Sequence, residues 1–198
     1  MKSQITAAEL LAQLNADPAY VARKRQQDEH FRRLREEYDR AQEPLIDELR
    51  TAQVPVKSVW DLVNQRNVYP QSLPILLEHL RRPYPDAIRD GIARALAVPD
   101  ARFAWPSLVA QYRVETGDRT RSGLAVALSN IADDTVMEEL IELAGDRNQG
   151  VSRVLLLDAL RRSHLPQARE ALTEFAADPL LVKEARRVLR RLDRRRKR

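Results

Sequence analysis

Apolar residues in this chain recur at steps of three and four, the spacing that keeps one face of an α-helix out of water. From residue 72 onward they also recur on a longer period, a constant step of 32 residues. Asp86 and Asp118 are one step apart, and Arg89, Arg121 and Arg153 follow the same step. Gly91 pairs with Gly123, Ile92 with Leu124 and Leu156, and Ala95 with Ala127 and Ala159. Leu96, Leu128, Leu160 and Leu192 complete the set. Small and large apolar positions return in phase, which a general richness in leucine does not produce.

Each unit predicts two amphipathic helices and a tight turn. The first runs over 72–80, turns at Arg82 to Pro85 and continues over 86–97. The second runs from about Trp105 to Arg113, turns at Thr116-Gly117-Asp118 and continues to Ile131. The third covers 135–144, turns at 145–150 and continues to Arg162. The fourth begins near Leu165-Pro166, turns at Asp178-Pro179 and ends near Leu192. Its register is blurred, with Arg191 where the small residue stands in the others. A polar, degenerate last unit suits the end of a stack.

The first third of the chain lacks the period. Thr6-Ala7-Ala8-Glu9 reads as a capping box opening a short helix to Leu14. Asp17-Pro18 opens a long helix with an apolar stripe of Phe31, Leu34, Tyr38, Ala41, Leu45 and Leu49. Pro44 is expected to kink or divide it, because proline lacks the N–H of the helical ladder. The stripe is weakest over 19–37, a stretch expected to project into solvent. A short helix over 58–64 follows the linker Gln53 to Val56. The chain therefore divides into non-repeating helices over 1–65, a repeat region over 66–193 and a basic tail over 194–198.

An Asp at the start of a helix caps free N–H groups, and the Arg three residues on lies on nearly the same face. From there the Arg is expected to reach the Asp of the next unit and build a ladder. The second-helix pattern, the turn Pro or Gly and this Asp/Arg pair resemble HEAT repeats, especially the short bacterial type also found in phycobilin lyases. The resemblance covers about residues 70–192. The third unit departs from it: Gly150 stands at the Asp position, with only Asp146 as a substitute. The resemblance implies a right-handed superhelix, here of about four hairpins, of a kind that usually binds partners on its inner face and includes some enzymes. With the helices over 1–65 expected to pack on the first unit as an N-terminal cap, the fold expected is all-α.

Composition narrows the chemistry. Glycine is scarce at five residues, while Leu, Ala, Arg and Glu abound, which favours helix. With no cysteine, disulfides and thiolate chemistry are excluded, and a cytoplasmic setting is expected. No apolar run approaches the roughly 20 residues that span a bilayer. The net charge of +5 is uneven: residues 186–198 hold nine Arg or Lys against one Asp, leaving the rest mildly acidic.

His30, His79 and His164 are far apart and show no metal-ligand spacing, and no phosphate loop or nucleophile motif is present. No catalytic residue, metal or cofactor is therefore assigned. The acids Asp133, Asp134, Glu138, Glu139 and Glu142 read as a solvated face near a helix start, with paired-carboxylate chemistry as the sharper alternative. The arginines of the 32-residue step read as structural partners of Asp, or as an anion-binding line. Trp60 and Trp105 read as core residues, and Tyr69, Tyr84 and Tyr112 as half-exposed near turns.

The first functional expectation is a non-catalytic protein scaffold holding another protein through Arg89, Asp90, Arg94, Arg121, Ser122, Arg153, Asp158 and Arg161, with Ser129 on the same face. The alternative is nucleic-acid binding, of the type seen in HEAT-like DNA glycosylases, through Arg194, Arg195, Arg196, Lys197 and Arg198. A chromophore lyase or chaperone is a third reading, carried by the phycobilin-lyase resemblance.

Overall fold

The computed structural model describes residues 5–64 and 69–196, all in helices and their connections with no strand among them. Eleven α-helices lie among these residues: α1 Ala7–Ala16, α2 Pro18–Thr51, α3 Val59–Asn64, α4 Ser72–His79, α5 Asp86–Ala95, α6 Trp105–Val114, α7 Asp118–Ile131, α8 Met137–Gly145, α9 Arg153–Arg162, α10 Pro166–Phe175 and α11 Val182–Arg196. Short 3₁₀ turns precede α6, α8 and α9. The chain divides inside α2 into two compact units, Met1–Ala41 and Gln42–Arg198.

In the first unit the capping box is present with both bonds. Glu9 N–H donates to Thr6 Oγ1 at 3.3 Å, and Thr6 N–H donates to Glu9 at 2.9 Å. The start of α2 is laced with charge: Glu29 holds Arg32 at 2.7 Å and Arg33 at 2.9 Å. These pairs are exposed, so solvent screens them and they add little to stability. Phe31, the first residue of the expected stripe, is 56% exposed, while Leu34 and Tyr38 are half-buried.

The second unit begins with the end of α2, where Leu45, Ile46 and Leu49 enter the core. Of the two outcomes expected at Pro44, division does not occur: α2 is continuous from Pro18 to Thr51. Pro44 is exposed, so the backbone group deprived of its partner lies on the watered side of the helix, where solvent satisfies it. Gln42 then ties α2 to α3 by accepting from Val59 N–H at 3.0 Å. The segment 42–64 thus packs with the hairpins that follow it.

Within this unit α4 packs on α5, α6 on α7, α8 on α9 and α10 on α11. The second helices α5, α7, α9 and α11 pack one on the next in chain order. The 32-residue step is the core of this arrangement. Ile92, Leu124 and Leu156 are fully buried, and Leu96, Leu128 and Leu160 are at most 1% exposed. Each fully buried side chain of this size contributes about 2 kcal/mol.

The paired glycines mark close approaches. A Cβ on Gly91 would lie 2.6 Å from Val59 of α3, and one on Gly123 would lie 2.8 Å from the backbone oxygen of Asp90 in α5. α3 therefore stands to α5 as α5 stands to α7. At the third equivalent position Leu155 is partly exposed, and no such approach is made. In an open helix Gly→Ala is worth a gain of about 1 kcal/mol. Gly123→Ala is expected to reverse that sign, with a net loss of about 1 kcal/mol, because the Asp90 backbone cannot yield. Urea unfolding of the variant measures it.

Candidate interaction surfaces

Among the expected site residues, the arginines of the 32-residue step are spent inside the unit. Arg89 Nε donates to Leu80 O at 3.2 Å, Arg121 to Glu115 O at 2.7 Å, and Arg153 to Ala144 O at 3.2 Å. Each acceptor sits at the C-terminal end of the first helix of the same hairpin. A cation there meets free carbonyls and the negative end of the helix dipole.

Two of the three also reach the next hairpin. Arg89 forms a two-pronged pair with Glu115, at 3.0 and 2.5 Å, and Arg153 pairs with Asp178 at 3.2 Å. Among the described residues Arg121 has no such partner and reaches Asp118 of its own helix at 3.4 Å instead. The residue 26 positions on, which is Glu115 for Arg89, is Arg147 for Arg121.

The expected contact from Arg to an Asp of the next unit is thus made at one junction, Arg153 to Asp178, while at the first the carboxylate is Glu115. Asp86 does not cap α5; it accepts from Thr120 N–H at 3.0 Å, Arg119 N–H at 3.2 Å and Thr120 Oγ1 at 2.6 Å, and so caps α7. The geometry explains the direction, since the start of α5 lies beside the start of α7 and the free N–H groups of α7 point at it. Asp118 is exposed and caps nothing in α9. Asp146 accepts from Asn148 N–H at 3.0 Å, within its own 3₁₀ turn.

Glu115 joins these parts, and sequence reasoning missed it. Besides Arg89 it accepts from its own turn, Thr116 N–H at 3.0 Å and Gly117 N–H at 2.9 Å. Burial pushes its carboxyl up, but Arg89, Gly117 N–H and Gln111 outweigh burial and hold it below the usual glutamate range. Asp86 behaves likewise: burial raises it, and the Thr120 and Arg119 bonds bring it lower.

The other expected residues lie along the second helices. Asp90 is 8% exposed and holds Arg94 at 2.7 Å. Its burial raises the carboxyl despite that arginine. Ser122 donates back to Asp118 O at 2.9 Å. Asp158 accepts from both Arg161 and Arg162 at 2.7 Å. Ser129 is corrected: it is buried, and Arg162 donates to its carbonyl. Arg94, Ser122, Asp158 and Arg161 remain half-buried at the surface. Lys197 and Arg198 lie outside the described residues, and Arg194 is exposed at the end of α11.

Tyr112 is also corrected: it is fully buried, bonded to Ser152 Oγ at 2.8 Å, and burial pushes its hydroxyl up to about 12. Trp105 is buried, with its ring N–H on Glu139 at 2.8 Å. His79 is fully buried between Tyr84 Oη at 2.7 Å and Glu48 at 2.8 Å, while His30 and His164 are exposed. Among the described residues no group of His, Asp and Glu is arranged to hold a metal, and no helix is long and apolar enough to cross a membrane. Glu138 and Glu142 line an open cleft of about 480 Å³ between α8 and α10 with Glu170, Glu174 and Ile141.

Glu115→Gln is expected to cost about 2 kcal/mol at neutral pH, because Arg89 loses a buried charge partner. A carboxyl held low in the folded state stabilises above its unfolded titration range and loses that effect as pH falls through the folded one. The gap between wild type and variant in urea unfolding therefore closes as pH falls below about 4.

No family model, curated protein or solved structure matches this chain.

Proposed function

We propose that this protein is a non-catalytic interaction scaffold, a short solenoid of four HEAT-like hairpins that holds a partner protein on the surface of its second helices. The observation that carries the reading is the packing of α5, α7, α9 and α11 in chain order. Such packing lays a continuous surface across several hairpins, built from side chains that no single hairpin assembles. Arg94, Ser122, Asp158 and Arg161 supply its polar contacts, and the half-buried Val126 and the exposed Leu155 its apolar ones. Arg89, Arg121 and Arg153 hold the hairpins in place beneath it. The surface mixes both signs of charge with small apolar areas, the composition of a non-obligate protein interface.

The test is paired affinity capture from the organism of origin with wild type and a Ser122→Arg, Arg161→Glu double variant. Both positions are on the surface, so the variant is expected to keep the helical circular dichroism of the wild type. A partner retained by wild type and lost by the variant is the expected outcome. Identical recovery by both forms, or no specific partner for either, would sink the proposal.

A further inference from the structure

The last described helix carries a second surface, unlike the first. α11 spans Val182–Arg196, about 22 Å at helical rise, and holds eight Arg or Lys against two acids. Its apolar side is consumed: Ala185 and Val188, with Leu181 just before the helix, are fully buried, and the helix packs on α9 and α10. Lys183, Arg186, Arg190 and Arg194 fall on the opposite side at steps of three and four, with Arg187 and Arg191 beside them, and all six are exposed. Of the acids of the helix, Glu184 pairs with Arg187 of the same helix and Asp193 with Arg169 of α10 at 2.7 Å. Among the described residues Arg186, Arg190, Arg191 and Arg194 have no ion-pair partner.

We propose that this face of α11 binds the phosphate backbone of double-stranded nucleic acid without reading its sequence. Arg186 to Arg194 covers about 12 Å of helix, a span in which a duplex presents roughly seven phosphate charges. An unpaired arginine row facing that density releases counterions on contact, which supplies affinity without any base contact. The face has no aromatic side chain, so it offers no platform on which the unpaired bases of a single strand stack. The buried apolar side removes the lipid-facing half that an interfacial membrane helix needs. A duplex matches what is left: a rigid, straight row of cations. The row borders the first surface, since Arg187 lies within electrostatic reach of Asp158 and Arg161, but Arg186, Arg190 and Arg194 are not part of it, and failure of duplex binding leaves the scaffold reading standing.

Fluorescence anisotropy of a labelled duplex of roughly 20 base pairs, in two unrelated sequences and over a salt series, tests the assignment. The full chain is compared with an Arg186→Gln, Arg190→Gln, Arg194→Gln variant, all three positions exposed, with circular dichroism and a thermal melt checking its fold. Wild type is expected to bind both sequences alike. The variant is expected to bind roughly tenfold or more weakly, with a salt slope shallower by about 3. Salt-insensitive or absent duplex binding overturns the proposal, as does equal binding by the variant. Two controls bear on the partner: a polyglutamate that competes as well as unlabelled duplex overturns it, and so does binding to phosphatidylserine vesicles in preference to duplex.

Discussion

A helix that ends inside a protein leaves carbonyls without partners, and a hairpin puts such an end beside the start of the next helix. In this chain one arginine per hairpin resolves that conflict for the first three. Arg89, Arg121 and Arg153 each lay a guanidinium on the terminal carbonyl of the helix before them. Arginine suits the task, because its forked donors satisfy a carbonyl while others remain for a carboxylate. Arg89 and Arg153 use the spare donors on Glu115 and Asp178 in the following turn. The contact that closes one hairpin therefore also sets the distance to the next.

The helices and their order are legible in the sequence because a 32-residue step is read from residue identity alone. Ile92, Leu124 and Leu156 have to share an environment, and they do. The polar partners are not legible. Glu115 and Asp178 lie in turns, where no helical period operates, and 26 and 25 residues from their arginines. Periodicity places a side chain on a face; it does not say what approaches that face. Asp86 shows the same limit: its position suggests capping its own helix, and only the lateral placement of α7 redirects it. Ser129 shares its phase with Arg161, yet Arg162 reaches over it and it is buried.

Pro44 leaves its helix undivided, and Tyr112 departs from expectation, each for a different reason. Rules for proline describe a helix surrounded by its own backbone, and α2 turns its proline to water. Tyr112 stands near a turn in sequence, but it is fully buried and its hydroxyl bonds Ser152 in the next hairpin. Of the candidate surface, the second-helix positions Arg94, Ser122, Asp158 and Arg161 are found by period. The half of the candidates that prove to be internal are found by the same period, since a repeat marks what recurs without saying whether it recurs for the neighbour or for a partner.

The parts of the first junction are split between hairpins. One contributes an aspartate and an arginine, Asp86 and Arg89; the other contributes free N–H groups, a glycine and a glutamate, at Thr120, Gly123 and Glu115. The second hairpin carries both sets, since Asp118 and Arg121 stand where Asp86 and Arg89 stand in the first. A duplicate of residues 105–136 placed directly after the original would offer Asp118 and Arg121 a fresh glutamate, glycine and helix start. The second hairpin is thus a module with matching ends, and the fold can lengthen there by tandem copying without inventing a new joint.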